Sequence, residues 1–278
     1  MFRKNSKSLT SVDIKGGRVI EDRNFDDLTE RLKTRIYGSP KGRLRIDQIW
    51  TDFENHISGL NGDKPLTILD AGGGLGQISL MLARKGHDIV FCDISEKMIE
   101  EARILFYDDH LEDRLTLIHA PFQALPEKWS GAFDLVMSHA VLEWLGEPEE
   151  SLKRLFDFMK PDGTLSLMFY NQNALIQKNA LKGNIRKILG EHYTVGQKGL
   201  TPQHPLDPDH VAGILTKYGL NILQKTGIRV FYDYMTADAR LGRSYEEILS
   251  LESRFCRVEP FASLGRYVHL IANASFLA

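Results

Sequence analysis

Thr67–Ser95 reads TILDAGGGLGQISLMLARKGHDIVFCDIS, and this stretch decides the fold. An apolar run closes on Asp70, the glycines Gly72, Gly73 and Gly74 follow, and a second apolar run closes on Asp93. "LTILDA" and "HDIVFCD" have the length and β-branched content of buried strands, and "LGQISLMLARKG" between them has helix length and a stop at Gly86. Strand, helix and strand in that order make a right-handed βαβ unit with parallel strands. Glycines directly after the first strand permit a tight turn and let backbone approach a ligand closely. The helix behind them offers free N–H groups at its start.

The pattern repeats downstream. Ser95 caps a helix over "SEKMIEEARILFY", "RLTLIHA" is a third strand and "FDLVMSH" a fourth. "PEESLKRLFDFMK" is a helix ended by "PDG", and "TLSLMFY" is a fifth strand. Strands separated by helix-length segments predict a mostly parallel sheet with helices on both faces, an α/β doubly wound architecture. The pattern then changes: residues 171–205 form a long irregular segment, taken as a substrate-side insertion, before the helix "DPDHVAGILTKYG". Two strand-like runs, "NILQKTGIRVFYDY" and "GRYVHLIANASFLA", bracket a helical "SYEEILSLESRFCR". Upstream, Asn24–Gly38 and Arg43–Ile57 carry apolar residues at helical spacing, with Asp26 and Asp27 in the first turn of the former. The expected organisation is a tail at 1–21, a helical cap at 22–60 and the main domain at 61–278.

Composition narrows the function. With 278 residues the chain has room for one large α/β domain and a sizeable core. Its 42% apolar and 26% charged residues are those of a soluble globular protein. No apolar run approaches the ~20 residues that cross a bilayer, and the basic start "MFRKNSKSLTSVDIKGGRV" has no apolar core of a signal peptide. Two cysteines, Cys92 and Cys256, make neither a disulfide framework nor a thiolate metal site, which fits a reducing cytoplasm. Nine histidines lack ligand spacing, so no metal is expected. The net charge of −2 exerts no global pull on nucleic acid.

The glycine register identifies the ligand class. A dinucleotide fingerprint needs G-x-G-x-x-G; from Gly72 its last position falls on Gln77, and from Gly73 its second falls on Leu75. What stands instead is Asp70-x-Gly72-x-Gly74-x-Gly76, which resembles motif I of class I S-adenosylmethionine-dependent methyltransferases. Such a ligand has no pyrophosphate to cradle but carries an ammonium, for which Asp70 is placed, and a ribose diol, for which Asp93 is placed. Phe122 and Gln123 in "HAPFQAL" can flank the adenine, and His139 follows the fourth strand at the crevice outside the carboxyl strand ends. In place of the N/D-P-P-aromatic element of base-amino methyltransferases stands His139-Ala140-Val141-Leu142, which disfavours adenine N-methylation.

Two basic clusters bear on the acceptor. Lys178, Lys182, Arg186, Lys187 and Lys198 stand against Glu191 alone, and Lys33, Arg35, Lys41, Arg43 and Arg45 form the second. A charge run is usually a solvated face, yet two of them flanking a cleft also suit a phosphate backbone. The aromatics Tyr170, Tyr193, Phe231, Tyr232 and Tyr234 are either core or stacking surfaces for an unpaired base.

Eight stretches, "DRNFDDLTERLKTRIYGSPKGRLR", "LDAGGGLGQ", "HAVLEWL", "LSLMFYN", "KTGIRVFYDY", "LESRFCR", "EPF" and "LGRYVHL", together resemble the bacterial tRNA 5-carboxymethoxyuridine methyltransferases from about Asp22 to the C-terminus. The resemblance implies a seven-stranded class I methyltransferase sheet whose last strand runs antiparallel. It also implies S-adenosylmethionine as methyl donor and the anticodon loop of tRNA as partner. The acceptor it implies is the carboxylate of a wobble 5-carboxymethoxyuridine, which becomes a methyl ester. It carries cofactor contacts over to Arg45, Gly72, Gly73, Asp93, Phe122, Gln123 and His139. An ionised carboxylate attacks without a general base but needs a partner to orient it. Arg229 is the first candidate, with Tyr170 and Arg266 behind it. The alternatives are a methyltransferase for a small carboxylic acid and a protein that binds S-adenosylmethionine without turnover. The sequence leaves the oligomeric state open.

Overall fold

The structure, a computed structural model, describes residues 22–27, 29, 33, 38–190, 202 and 204–274. Strands β1 (Thr67–Ala71), β2 (Asp88–Asp93), β3 (Leu115–His119), β4 (Phe133–His139), β5 (Met159–Tyr170), β6 (Leu220–Ile228) and β7 (Tyr267–Ala274) form one sheet in the order β3-β2-β1-β4-β5-β7-β6. The first five strands are parallel, and β7 lies antiparallel to both β5 and β6. Helices α1 (Pro40–His56), α2 (Gln77–Arg84), α3 (Glu96–Asp108), α4 (Pro148–Phe158), α5 (Gln172–Leu181), α6 (Ile185–Leu189), α7 (Pro208–Lys217), α8 (Ala237–Arg240) and α9 (Tyr245–Phe255) accompany it.

The central strands read as unbroken apolar runs because both of their faces are buried. Ile68, Leu135, Met137, Met168 and Ile271 face one core with Ile49 and Phe53 of α1 and Leu80 and Leu82 of α2. Their chain neighbours Leu69, Val136, Leu165, Leu167 and Leu270 face the other, with Leu152 and Leu155 of α4 and Val211 and Leu215 of α7. The period-two alternation of a strand sends adjacent residues to opposite cores. Helix α1 is tied to the late strands through Asp52, which accepts from Thr226 Oγ1 at 3.0 Å, and through Gln48, whose Oε1 accepts from the Arg229 amide at 3.1 Å.

Three expectations need correction. Residues 172–189 are largely helical, as α5 and α6, where an irregular segment was expected. Asn171 caps α5 by accepting from the Asn173 amide at 2.9 Å, while its Nδ2 donates to the carbonyls of Ser263 and Gly265. The run "NILQKTGIRVFYDY" is a strand only to Ile228, because Arg229 takes φ +60° and turns the chain out of the sheet. Asp26 and Asp27 lie in a turn rather than a helix; Asp26 Oδ1 is engaged by Ser95 Oγ at 2.5 Å and so is spent on the far side of the cleft. Most of the helix expected over Asn24–Gly38, the tail at 1–21, and Arg35, Glu191, Tyr193 and Lys198 lie outside the described residues.

Candidate cofactor cleft and acceptor recess

The strand order reverses direction between β1 and β4, and a cleft opens beyond their carboxyl ends, as open α/β sheets require. It encloses about 1290 Å³ of space partly open to solvent. Arg45, Asp70, Gly72, Gly73, Gly74, Asp93, Phe122, Gln123 and His139 all line it, so the nine residues expected at the cofactor come together in one place.

The glycine turn shows why each position is what it is. The amides of Gly72 and Gly73 donate to the Cys92 carbonyl at 2.8 and 3.2 Å, which folds the turn back over β2. A Cβ on Gly73 would sit 2.1 Å from the Phe91 ring, so packing forbids a side chain there. Gly74 has φ +60° and nothing within 4 Å of where a Cβ would stand, so its bare backbone faces the cleft. Its amide donates to Asp93 Oδ2 at 3.0 Å, while Asp93 Oδ1 accepts from the Ser95 amide at 2.8 Å. Each Asp93 oxygen therefore keeps lone-pair capacity for a further donor such as a ribose hydroxyl. Ser95 also accepts from the Met98 amide and caps α3, as its sequence position predicts.

Asp70 is buried, and Ser79 of α2 donates to its Oδ2 at 2.5 Å. Burial pushes its carboxyl up to about 7, the Ser79 bond works against that shift, and Asp93 adds to it. A cationic ligand beside Asp70 restores the ionised form, which is the pairing an ammonium makes. The Oε1 atoms of Gln77 and Gln123 are buried without partners although both residues line the cleft. Orphaned acceptors of this kind call for donors from a ligand. A wall of glycine backbone, two carboxylates, two idle amide oxygens and the Phe122 ring fits S-adenosylmethionine. Among the described residues no His, Cys, Asp and Glu converge in a group of three or more that could hold a metal ion.

Two parts of the site lie in stretches for which the sequence predicts no site role. The first is a strap at residues 22–27. Asp22 Oδ1 accepts from the Gly146 amide, the Arg23 amide donates to the Trp144 carbonyl, and Asn24 Nδ2 donates to the Ile94 carbonyl. Phe25 meets Trp144 edge to face at 4.8 Å, and Asp22, Arg23 and Phe25 line the cleft. The second is Glu143, fully buried with neither carboxylate oxygen hydrogen-bonded. A charged residue inside the apolar "HAVLEWL" was the available signal.

Beyond the cleft wall, at the ends of β5 and β7, Tyr170, Arg266 and Tyr267 pack together. Tyr267 lines the cleft and meets Tyr170 edge to face at 5.5 Å, and the Arg266 guanidinium lies 4.5 Å from the Tyr170 ring centre. The Tyr170 hydroxyl and Arg266 Nη1 are buried and unpaired. Arg229 stands differently. Its Nε donates to Asp233 Oδ2 at 2.8 Å, its Nη1 donates to the Lys41 carbonyl at 3.3 Å, and both side chains of the Arg229–Asp233 pair are over nine-tenths buried. Of the three candidates for orienting a substrate carboxylate, Arg229 is paired with Asp233, whereas Arg266 keeps one nitrogen, Nη1, without a partner, as Tyr170 keeps its hydroxyl. Phe231 packs with Phe255 and Phe261, and the Tyr234 hydroxyl donates to the Leu264 carbonyl, so these two aromatics serve local packing.

Residues 69–167 match the family model described as a methyltransferase domain. The chain is 38% identical over 254 residues to the tRNA 5-carboxymethoxyuridine methyltransferase of Escherichia coli, spanning 91% of this chain and 97% of that one. A ubiquinone biosynthesis O-methyltransferase of Psychrobacter arcticus is 31% identical over 115 residues, 41% of this chain and 44% of its own. Among solved structures, the magnesium protoporphyrin IX methyltransferase of Synechocystis with bound S-adenosylhomocysteine superposes with a TM-score of 0.57 at 18% identity. That match covers 90% of this chain and 96% of the other and shows a shared fold.

Proposed function

The chain belongs to the tRNA 5-carboxymethoxyuridine methyltransferase family of S-adenosylmethionine-dependent enzymes, and from that premise we propose that it esterifies the carboxylate of a wobble 5-carboxymethoxyuridine in tRNA. The proposed setting is the cytoplasm and the proposed partner surface is the anticodon loop. One observation supports the acceptor assignment: Arg266 Nη1 and the Tyr170 hydroxyl are buried without hydrogen-bond partners, one further ring, Tyr267, away from the cofactor cleft. An anionic acceptor finds its counter-charge there.

S-adenosylmethionine supplies an activated methyl group on sulfonium sulfur. Arg45, Asp70, Gly72, Gly73, Gly74, Asp93, Phe122, Gln123 and His139 are the residues proposed to hold it. The acceptor carboxylate is already anionic at neutral pH, so no side chain has to remove a proton. One of its oxygens forms the new bond to the methyl carbon while the sulfur–carbon bond breaks, and the electron pair stays on sulfur. The protein contributes alignment and exclusion of water. Arg266 and the Tyr170 hydroxyl are proposed to grip the other oxygen, which fixes the angle of attack without quenching the nucleophile.

The test is incubation with methyl-labelled cofactor and tRNA that carries the free acid, followed by digestion to nucleosides. The expected product is an alkali-labile methyl on a wobble uridine. Arg266→Ala should lower kcat/KM by about 10- to 100-fold, the worth of one hydrogen bond to a charged group. Its affinity for S-adenosylhomocysteine should stay within about twofold. Label appearing on a ring nitrogen or ribose oxygen, or full activity without Arg266, overturns the assignment.

A further inference from the structure

Behind His139 a buried chain of hydrogen bonds runs across β4, β5 and β7 on one face of the sheet to α1, which packs on that face. His139 Nε2 contacts Ser166 Oγ at 2.7 Å, and Ser166 Oγ contacts His269 Nε2 at 2.8 Å. His269 Nδ1 contacts Asp52 Oδ2 at 2.7 Å. The four residues come from β4, β5, β7 and α1, and Ser166, His269 and Asp52 are all fully buried. Asp52 Oδ1 also accepts from Arg257 Nε at 2.8 Å and from Thr226 Oγ1 at 3.0 Å. Phe53 lies against both imidazoles, with ring centres 6.2 and 6.1 Å away. Among the described residues His139 alone of the chain's four members lines the cofactor cleft.

Charge balance sets the direction of this chain. It holds one anion, Asp52, and one guanidinium on that anion, Arg257, and with both imidazoles taken as neutral the buried set carries no net charge. Burial, first, and then nearby positive charge including that of Arg45, hold the His139 imidazole well below its ordinary value, so this ring stays uncharged. A carboxylate only accepts, so His269 Nδ1 must carry the hydrogen and its Nε2 the lone pair. Ser166 then spends its proton on His269, and its oxygen accepts from His139. The proton of His139 is thereby fixed on Nε2. Nδ1 remains as the lone pair available to the cleft.

We propose that Asp52, His269 and Ser166 are positioning residues that hold His139 as the neutral Nε2–H tautomer, so that Nδ1 meets the cofactor as a hydrogen-bond acceptor. S-adenosylmethionine is rich in donors and cations: an ammonium, a ribose diol and a sulfonium. An acceptor nitrogen suits the first two, and an uncharged ring avoids repelling the third. The other tautomer would present a donor and suit only the carboxylate or the adenine nitrogens. The relay therefore acts on cofactor binding from Asp52, which does not itself line the cleft. It rests on His139 facing the cofactor and is independent of the acceptor.

The experiment is nitrogen-15 NMR of histidine-labelled full-length protein with calorimetric titration of S-adenosylmethionine, for the wild type, Ser166→Ala and Ser166→Thr. No RNA is present, so failure of the tRNA reading leaves the outcome readable. The wild type should show His139 protonated at Nε2 alone at neutral pH. Ser166→Ala should give a mixture of His139 tautomers and weaken cofactor binding by about fivefold, the worth of one neutral hydrogen bond. Ser166→Thr, which keeps the hydroxyl, should restore both. A wild-type His139 protonated at Nδ1 overturns the proposal. So does a Ser166→Ala protein in which tautomer and affinity fail to change together.

Discussion

Glu143 is a carboxyl buried near the site without a hydrogen-bond partner. Burial pushes its carboxyl up to about 8, although the nearby N–H groups of Glu143 and Tyr170 and the charge of Arg45 favour ionisation. The folded protein thus keeps a proton that the unfolded chain releases above its ordinary carboxyl value. That contribution to stability is complete below about pH 4.5 and is lost as pH rises to about 8. Asp70, pushed up to about 7, works in the same direction. Denaturant unfolding of the ligand-free protein should show stability falling across this window. Glu143→Gln should flatten the slope and leave the protein at least as stable at pH 8, by up to a few kcal/mol on the order of the shift itself. A variant that is strongly destabilised at pH 8 would mean that Glu143 is ionised and paired. Arg229 makes the opposite case. Removing its guanidinium leaves Asp233, held down to about 2 by Arg229 against the cost of burial, without its close partner and with only the weaker pull of Arg266 and the half-exposed Lys41. Arg229→Ala should cost ~3–5 kcal/mol in chemical denaturation. Activity should then be lost in step with folding rather than through the acceptor.

The elements differ in how plainly the sequence announces them. Strands β1, β2 and β4 are short, apolar on both faces and end in Asp70, Asp93 and His139, so their pattern and their chemistry point to the same residues. Helix α5 hides because Asn173, Gln177 and Asn179 interrupt any apolar stripe, and its buried residues are Ala174, Leu175 and Asn179. Asn179 is buried only because its Nδ2 donates to the Leu175 carbonyl, a bond no periodicity reveals. The left-handed turn at Arg229 was equally hidden, since the following amides are held by a remote carboxylate. Glu252 of α9 accepts from the amides of Val230, Phe231 and Tyr232 at 2.7, 3.1 and 2.7 Å. The strap at 22–27 has no regular structure to predict, and its bonds run to Ser95, Lys97, Trp144 and Gly146. It belongs to the cofactor site by contact alone. Phe25→Ala should therefore weaken S-adenosylhomocysteine binding by about 5- to 10-fold through the lost edge-to-face contact and cleft wall, with little change in thermal stability. Unchanged affinity in calorimetry would remove the strap from the site.

At the scale of the molecule, the sheet order and the cleft at its reversal point were legible because the βαβ rule leaves few ways to arrange such a pattern. The acceptor side was not, because the partners of Arg229 and Arg266 come from chain neighbours and turns whose geometry only folding defines. Charge gives the last test. A chain of net charge −2 cannot hold a polyanion by its overall field. Cations on one side must do it. Lys182 and Arg186 stand exposed and Lys187 half-buried on α6 and the turn before it, in a stretch where no acidic residue occurs from Gln172 to Gly190. If they contact phosphates, the logarithm of the tRNA association constant should fall linearly with the logarithm of salt concentration. Each of Lys182→Gln, Arg186→Gln and Lys187→Gln should reduce that slope by about 1. S-adenosylhomocysteine binding to the same variants should keep both its affinity and its weak salt dependence. A flat salt response for the wild type would point instead to a small carboxylic acid as acceptor. Unchanged slopes in the three variants would move the RNA surface elsewhere on the chain, with Lys41 and Arg43 of α1 next to be tested.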